Sequence, residues 1–164
     1  MKPKAYIETT IISYLTARPS RDIVIAGHQE ITRQWWNSAA DYFELVASQL
    51  VIDEASAGNE DAAQARLNTL AHVVLIDATD DALLLAQQLV KVGVIPEKAA
   101  EDAAHIAIAV TNGVEYLVTW NCRHIANAII RPKIEAICLG EGYEPTIICT
   151  PEELMEPYYE NHNG

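Results

Sequence analysis

The chain has 164 residues, of which 50% are hydrophobic and 21% are charged. This profile is typical of one globular domain and excludes a disordered or fibrous protein. The 23 acidic residues outnumber the 11 basic ones and give a formal net charge of -12, which argues against a broad basic surface for nucleic acid, since non-specific affinity comes from Lys and Arg that neutralise phosphates.

The ends and the cysteines set further limits. The N-terminus enters a strand-like segment without the apolar core and cleavage site of a signal peptide. No apolar run reaches the roughly 18 to 20 residues of a membrane span, so we expect a cytoplasmic protein with no membrane partner. Cys122, Cys138 and Cys149 are odd in number and lack CxxC spacing, so we expect reduced thiols rather than a disulfide framework or a zinc site.

Predicted strands and helices alternate along the chain. Thr9, Ser48 and Thr79 are predicted helix N-caps, because their side chains can accept a hydrogen bond from the first turn. The strands are predicted over 5–8, 42–47, 73–76 (buried on both faces), 116–119 and 147–149. The helices are predicted over 9–15, from Asp22 to about Trp36 with Ile23 and Val24 on the buried side, and over 48–58, 61–70, 79–93 and 96–113, with one or two short pieces within 125–137.

The alternation predicts the architecture. Strands separated by helices of this length pair in parallel, which gives an α/β sheet covered by helices on both faces. We expect one domain over residues 1–150 and, over 151–164, a short C-terminal helical turn followed by a frayed tail.

Acidic and amide side chains fall near the carboxyl ends of the predicted strands, where such folds bind ligands. Glu8 follows the first strand, Glu54 lies on the helix after the second, Asp102 precedes the fourth, and Asn121 follows it. His105 lies three residues after Asp102, on the same helix face, and could orient it. Three converging carboxylates suit a hard divalent cation that activates water and neutralises a scissile phosphate.

Each candidate also has a structural alternative. Glu8 at a helix start could complement the helix dipole. Glu54, beside Asp53, could belong to a solvated helix face, and His105 could be a buried structural histidine. Asp102 lies among alanines, so we expect partial burial and a requirement for a cation or hydrogen-bond donors.

Four segments carry a pattern that is more specific as a set than any one of them. They are YIETT at 6–10, VIDEAS at 51–56, EDAAHIAIA at 101–109 and LVTWNCRH at 117–124. Together they resemble the PIN-domain family, most closely its small VapC-like toxins of type II toxin-antitoxin systems, over about residues 4–150. The resemblance implies a three-layer α/β/α sandwich with a central parallel sheet and an endoribonuclease dependent on Mg²⁺ or Mn²⁺. It also implies an RNA substrate, a small antitoxin that blocks the site, and a homodimer.

The resemblance also implies roles for individual residues. The family's acidic quartet falls on Glu8, Glu54, Asp102 and Asn121 as candidate catalytic residues, and the first three are the candidate metal ligands. The residues implied or expected to support these ligands or contact the substrate are Thr9, which accompanies the first acid, Thr119, which precedes the fourth position, His105, Arg123 and His124.

Two positions depart from the family pattern. Glu8 stands where Asp is usual and is one methylene longer, and Asn121 stands where Asp is usual and offers only a neutral carbonyl oxygen. We therefore predict one metal held mainly by Asp102 and Glu8, with Glu54 acting through water or as general base and Asn121 positioning water or phosphate. The departures leave two alternatives: a PIN fold that has lost catalysis and binds proteins, and a structure-specific DNA nuclease.

Substrate contacts are less sharply indicated. Trp35 and Trp36 could stack bases, although on an amphipathic helix at least one should face the core or a dimer partner. The remaining acidic surplus predicts cation-dependent RNA binding and a surface suited to a basic partner such as an antitoxin tail. The cations near the predicted site, which could contact phosphates or pair with nearby acids, are Arg18, Arg21, Arg33, Arg123, His124 and Arg131.

Overall fold

A five-stranded, all-parallel sheet with strand order β3-β2-β1-β4-β5 forms the centre of the fold. The computed structural model describes residues 1–155. The strands are β1 (Lys4–Ile7), β2 (Glu44–Ser48), β3 (Val74–Ile76), β4 (Tyr116–Val118) and β5 (Ile147–Cys149). Because the chain builds outward from β1 first to one side and then to the other, the carboxyl end of β1 lies at the topological switch point of the sheet.

Seven α-helices within the described residues flank the sheet. They are α1 (Thr9–Thr16), α2 (Ile23–Tyr42), α3 (Gln49–Ala55), α4 (Glu60–Leu70), α5 (Asp80–Lys91), α6 (Ala100–Thr111) and α7 (Arg131–Gly140), with short 3-10 turns at Glu97–Ala99 and Glu152–Leu154. The predicted α/β/α sandwich with a central parallel sheet is confirmed.

The core lies between the central strands and the helices against them. Tyr6 and Ile7 of β1 and Leu117 of β4 have no exposed surface, which is the burial expected for central parallel strands. Ala103 and Ala107 are equally buried on α6. Their small side chains let α6 pack closely, so its polar residues are carried into the edge of the core.

The long helix α2 differs from its prediction at both ends. It continues to Tyr42, so β2 begins at Glu44 rather than at residue 42. Ile23 and Val24, predicted on the buried side, are 87% and 61% exposed. The buried stripe of α2 begins only at Gln29, so the first turn precedes the part of the helix that packs on the domain.

Two other predictions are corrected. Val74 and Leu75 of β3 are about half exposed, although the apolar run predicted burial on both faces. β3 is an edge strand of only three residues, and an edge position leaves side chains uncovered. The helical pieces predicted within 125–137 are one helix, α7, which begins at Arg131 with Pro132 in its first turn.

The ends and the thiols complete the description. Within residues 1–155, no helix combines the length and the apolar character that crossing a membrane requires. Cys122, Cys138 and Cys149 are free thiols, as predicted. The predicted C-terminal helical turn corresponds to the 3-10 turn at Glu152–Leu154, and the predicted frayed tail falls on residues 156–164, outside the described part of the chain.

Candidate active site

Glu8 lies at the junction of β1 and α1, at the centre of the sheet's carboxyl edge. Its carboxylate caps α1 by accepting a 3.2 Å hydrogen bond from the Thr10 amide, so the N-cap is Glu8 and not Thr9 as predicted. Its Oε1 atom also accepts hydrogen bonds from the hydroxyls of Thr10 at 2.5 Å and Thr119 at 2.6 Å. The residue is only 4% exposed. Neutral donors and the helix N-terminus therefore hold a carboxylate almost out of contact with water.

Glu54 reaches the same place from α3. Its Oε1 atom accepts hydrogen bonds from the Thr9 hydroxyl and from Nε2 of His105, both at 2.6 Å. Burial alone would raise the pKa of Glu54, but its hydrogen bond and electrostatic interaction with His105, and the hydrogen bond that the Thr9 hydroxyl donates to it, together lower it. Glu54 is therefore held as a carboxylate at neutral pH.

His105 connects Glu54 to a buried chain of hydroxyl groups. Its Nδ1 atom lies 2.7 Å from the Tyr6 hydroxyl, which lies 2.7 Å from Oγ of Ser48. Burial raises the pKa of Tyr6 well above its usual range, against the opposing hydrogen bond with Ser48 and with help from the charges of Glu8 and Glu54. Nε2–H of His105 donates to Glu54, and Nδ1 shares a hydrogen bond with the Tyr6 phenol.

Glu8, Glu54 and His105 form a compact group of potential metal ligands. One donor atom from each lies within 4.8 Å of the other two. Both ring nitrogens of His105 already have hydrogen-bond partners, so the carboxylates are the atoms suited to hold a cation and His105 orients one of them. Asp102, predicted to be a main ligand together with Glu8, is not in this group.

Asp102 lies at the outer rim of the site, in the first turn of α6. Its Oδ2 atom lies 3.0 Å from Nδ1 of His124, and His105 contacts Glu54 rather than Asp102, contrary to the predicted pairing.

Asn121 accepts a 3.0 Å hydrogen bond from the His124 amide through Oδ1. Asp102 and His124, each about one fifth exposed, line an open depression of about 470 Å³ together with Arg123. Within residues 1–155, the amide NH₂ of Asn121 has no hydrogen-bond partner.

The hydroxyl residues are placed partly as the resemblance implies. Thr119 donates to Glu8, but Thr9, which was expected beside the first acid, donates to Glu54. Thr10 makes the contact with Glu8 instead, and it also accepts a 2.9 Å hydrogen bond from the Trp120 amide. The reason is helical geometry: Thr9 and Thr10 are successive residues of α1 and point in different directions, so each reaches a different carboxylate.

The predicted cations divide into paired and unpaired groups. Arg33 pairs with Glu30 at 3.1 Å and Arg131 with Glu153 at 3.5 Å. Within the described part of the chain, the others that carry a permanent charge, Arg18, Arg21 and Arg123, make no ion pair and are exposed. These three are therefore the arginines available to an anionic ligand.

Trp35 and Trp36 pack in the core, as expected of at least one of them, rather than beside the acidic residues. Trp35 is 3% exposed and lies in the core, with Trp36 packed edge-on against it at 6.3 Å between ring centroids, so core packing accounts for both. Trp120, between Thr119 and Asn121, instead stacks on His28. The sequence signal for this contact was weak, because it joins residues from distant segments.

Comparisons with known proteins give a match at the level of structure. No family model matches the chain, and no curated protein matches it. The structure is similar to VapBC2 from Rickettsia felis bound to a DNA fragment from its promoter, with 15% identity, a TM-score of 0.57, and coverage of 89% of this chain and 97% of that one.

Two further structures show the same likeness. Mycobacterium tuberculosis VapC20, described as a toxin that cleaves the sarcin-ricin loop, has 15% identity and a TM-score of 0.53, over 74% of this chain and 92% of its own. VapBC-1 from nontypeable Haemophilus influenzae has 13% identity and a TM-score of 0.53, over 90% and 98%. At these identities the likeness establishes the fold, and it confirms the PIN-like architecture implied by the four sequence segments.

Proposed function

We propose that this chain is a metal-dependent endoribonuclease of the PIN-like fold and the toxin of a toxin-antitoxin pair. The observation that carries the proposal is the convergence of Glu8 and Glu54 at the centre of the sheet's carboxyl edge. Oxygen atoms of the two carboxylates lie within 4.8 Å of each other, and the side-chain donors around them are hydroxyls and the ring N–H of His105. Two negative charges at this separation repel each other, and a divalent cation bound by these carboxylates would offset the repulsion.

The donor set fits Mg²⁺ or Mn²⁺. These ions prefer oxygen ligands and are commonly held by one or two carboxylates plus waters and a substrate phosphate. Glu8 and Glu54 provide two carboxylates, and Asp102, on the same helix as His105, provides a third at the rim. The depression lined by Asp102, Arg123 and His124 leaves room for a phosphate at the rim.

Bound there, the ion would offset the charge of the scissile phosphate and lower the pKa of a water molecule. The protein's own residues fix the geometry. Thr10 and Thr119 hold Glu8 from two sides, while Thr9 and His105 both bind Oε1 of Glu54. Neither carboxylate can rotate without losing these bonds, so the ligand positions are set before the substrate arrives.

The rim residues face the substrate. We assign to Asn121 a hydrogen bond from its free NH₂ group to a phosphate oxygen, since its Oδ1 atom is already occupied by His124. Arg123 adds a positive charge beside the same depression. Asp102 holds the ring of His124 at 3.0 Å, and both are placed to contact the strand near the cut.

The proposed partners are RNA, a small antitoxin and a second copy of the chain, in the cytoplasm. Two of the similar structures are VapBC assemblies, and the third is described as a toxin that cleaves the sarcin-ricin loop. The net charge of -12 favours a basic partner segment for the antitoxin.

The proposal is tested by cleavage of single-stranded RNA in the presence of Mn²⁺. We expect Glu8→Gln and Glu54→Gln to lower the rate by more than about 100-fold, because each removes a proposed ligand charge. Asp102→Asn should lower it by at least about tenfold. Matched controls are Glu60→Gln and Asp61→Asn, exposed acids in the first turn of α4, which should leave the rate unchanged.

The alternatives give different results in the same experiment. A structure-specific DNA nuclease would cleave DNA junctions or flaps in preference to RNA. A protein-binding module would release no heat on titration with Mn²⁺ and cleave neither polymer. Unchanged RNA cleavage by Glu8→Gln and Glu54→Gln would also contradict the proposed site.

A further inference from the structure

We propose that Tyr14 and His28, stacked beside Trp120, form a subsite that binds an unpaired base of the nucleic acid next to the acidic cluster. This inference rests on the proposed nuclease function and adds a recognition site to it. The ligand is a single-stranded nucleotide segment, whose base lies on the rings and whose phosphates meet the neighbouring arginines.

The three rings are nearly parallel. His28 and Trp120 are stacked with 3.9 Å between ring centroids and 10° between planes. Tyr14 lies 6.4 Å from each of them, with interplanar angles of 21° and 23°. Because Tyr14 is equidistant from two rings that are 3.9 Å apart, it flanks the His28–Trp120 pair in nearly the same orientation, and a planar base could stack against such a group of rings.

Hydrogen bonds fix the orientation of the stack. The Trp120 ring N–H donates to Oγ1 of Thr32 at 2.7 Å, and that hydroxyl donates to the His28 carbonyl at 2.6 Å. Trp120 is 7% exposed, whereas Tyr14 and His28 are half-buried. The tryptophan is thus the fixed base of the stack, and the other two rings carry its accessible surface.

The stack is joined directly to the acidic cluster. The Trp120 amide donates to Oγ1 of Thr10 at 2.9 Å, and the same hydroxyl donates to Glu8. Tyr14 lies on α1, six residues after Glu8, or about 9 Å along the helix axis. A strand whose phosphate reaches the carboxylates therefore passes close to the rings.

The accessible rings also have unused polar groups. In the part of the chain that the structure describes, neither ring nitrogen of His28 nor the Tyr14 hydroxyl has a hydrogen-bond partner. These atoms are not among the buried ones that lack a partner, so they are open to solvent and available to a ligand, whereas the polar atoms of Trp120 and Tyr6 are already paired. A base offers both a face to stack on these rings and edge atoms to hydrogen-bond them.

Two unpaired cations lie on the linker beside the stack. Arg18 and Arg21 are exposed, and the linker that carries them is fixed to α2 by Gln29, which accepts from the Ser20 amide and donates to the Arg18 carbonyl. Gln29 is 2% exposed and adjoins His28. In a chain with a net charge of -12, positive charge here favours an anionic strand over a basic protein segment.

The test compares two single-stranded DNA decamers of equal charge, one of adenines and one of abasic sites, by fluorescence anisotropy in EDTA. The wild-type protein should bind the adenine decamer at least about fivefold more tightly, because one stacked base gives roughly that factor or more. Tyr14→Leu and His28→Leu should bring the ratio of the two affinities close to one, while Tyr14→Phe, which keeps the ring and loses only the hydroxyl, should retain most of it. His72→Leu, an exposed histidine before β3, is the control and should preserve it too.

The arginines are tested by their salt dependence. Arg18→Gln combined with Arg21→Gln should weaken both decamers equally and reduce the slope of log K against log salt by about one to two. Lys91→Gln, which removes an exposed cation on α5, should change neither the affinities nor the salt slope. Thermal unfolding of each variant establishes that it is folded before its binding is compared.

The opposing outcomes are distinct. A wild-type ratio near one, or a ratio unchanged in Tyr14→Leu and His28→Leu, overturns the subsite while leaving Mn²⁺-dependent RNA cleavage intact. If these variants weaken binding to a protein partner but leave the ratio of the two decamer affinities unchanged, the stack is a protein contact and the proposal fails. Absence of cleavage by the wild-type protein overturns the proposed nuclease, whereas base-dependent binding would still support the subsite.

Discussion

The inner and outer halves of the acidic site are built differently. Glu8, Glu54 and His105 form the inner half, where the polar atoms that face the group are hydrogen-bonded and two of the residues are fully or almost fully buried. Asp102 and His124 form the outer half, about one fifth exposed and joined by one 3.0 Å contact. The inner half therefore fixes its carboxylates in place, whereas the outer half stays open to solvent.

The two halves also differ in their cost to folding. A buried carboxylate such as Glu8, whose donors are hydroxyls and a backbone amide, lowers the stability of the folded state unless a cation compensates. An exposed pair is screened by water and contributes little in either direction. We therefore expect the inner half to control stability and metal binding together, and the outer half to act on substrate with little effect on folding.

The largest expected effect compares the two histidines. His105→Ala removes a fully buried ring and takes one hydrogen-bond partner from each of Tyr6 and Glu54, which should lower the free energy of unfolding by about 2 to 4 kcal/mol. His124→Ala removes a partly exposed contact and should lower it by less than about 1 kcal/mol. Urea unfolding without divalent metal measures both, with His72→Ala as the exposed control. Equal losses of unfolding free energy in His105→Ala and His124→Ala would contradict the distinction between the two halves.

A smaller effect should follow from adding charge to the outer half. Asn121→Asp places a second carboxylate next to His124, which Asp102 also contacts, and should tighten Mn²⁺ binding by about tenfold, the Coulomb gain of roughly 1 to 2 kcal/mol from one more charge near a divalent ion. Isothermal titration calorimetry measures the change. Cys122→Asp adds the same charge at the next, exposed position and should have a smaller effect. If both variants gain equally, net charge rather than position 121 sets the affinity.

The smallest expected effect is the pH dependence of the inner half. The pKa of Glu54 is lowered in the folded protein from its ordinary value of 4.5, so the unfolded chain binds this proton more tightly. The resulting stability is fully present above pH 4.5 and is lost as the pH falls through the folded pKa. In metal-free protein, the free energy of unfolding should fall more steeply below pH 4.5 in the wild type than in Glu54→Gln. Glu60→Gln should retain the wild-type slope, and a wild-type slope in Glu54→Gln would contradict the assignment.

Local sequence patterns predicted most of the strands and helices, and they placed the candidate residues at the carboxyl edge of the sheet. The spacing of Glu8, Glu54 and Asn121 from the predicted strands was sufficient, because parallel strands end at the same edge of a sheet. β3 shows the limit of such patterns. Its apolar run predicts a buried strand, but burial depends on whether a strand is central or at the edge, and strand order is set by contacts among distant segments.

The contacts of the site were less accessible to prediction. The alternation of β1 could have indicated that Tyr6 points inward, but its partner His105 lies 99 residues away. The stack of Tyr14, His28 and Trp120 likewise joins two helices and a loop. Nothing in the spacing within one segment records which side chain of another segment will lie against it.

The sequence by itself determined the alternating α/β architecture, which follows from hydrophobic periodicity, and it indicated the candidate site residues through their positions after the strands and through the family resemblance. Only the tertiary structure decided the pairing within that group. Glu8 lies with Glu54, and Asp102 with His124, because α3, α6 and the segment after β4 approach the end of β1 from different sides. The charge of -12 belongs to the sequence, but the places where it is buried, paired or open to a cation are set by the fold.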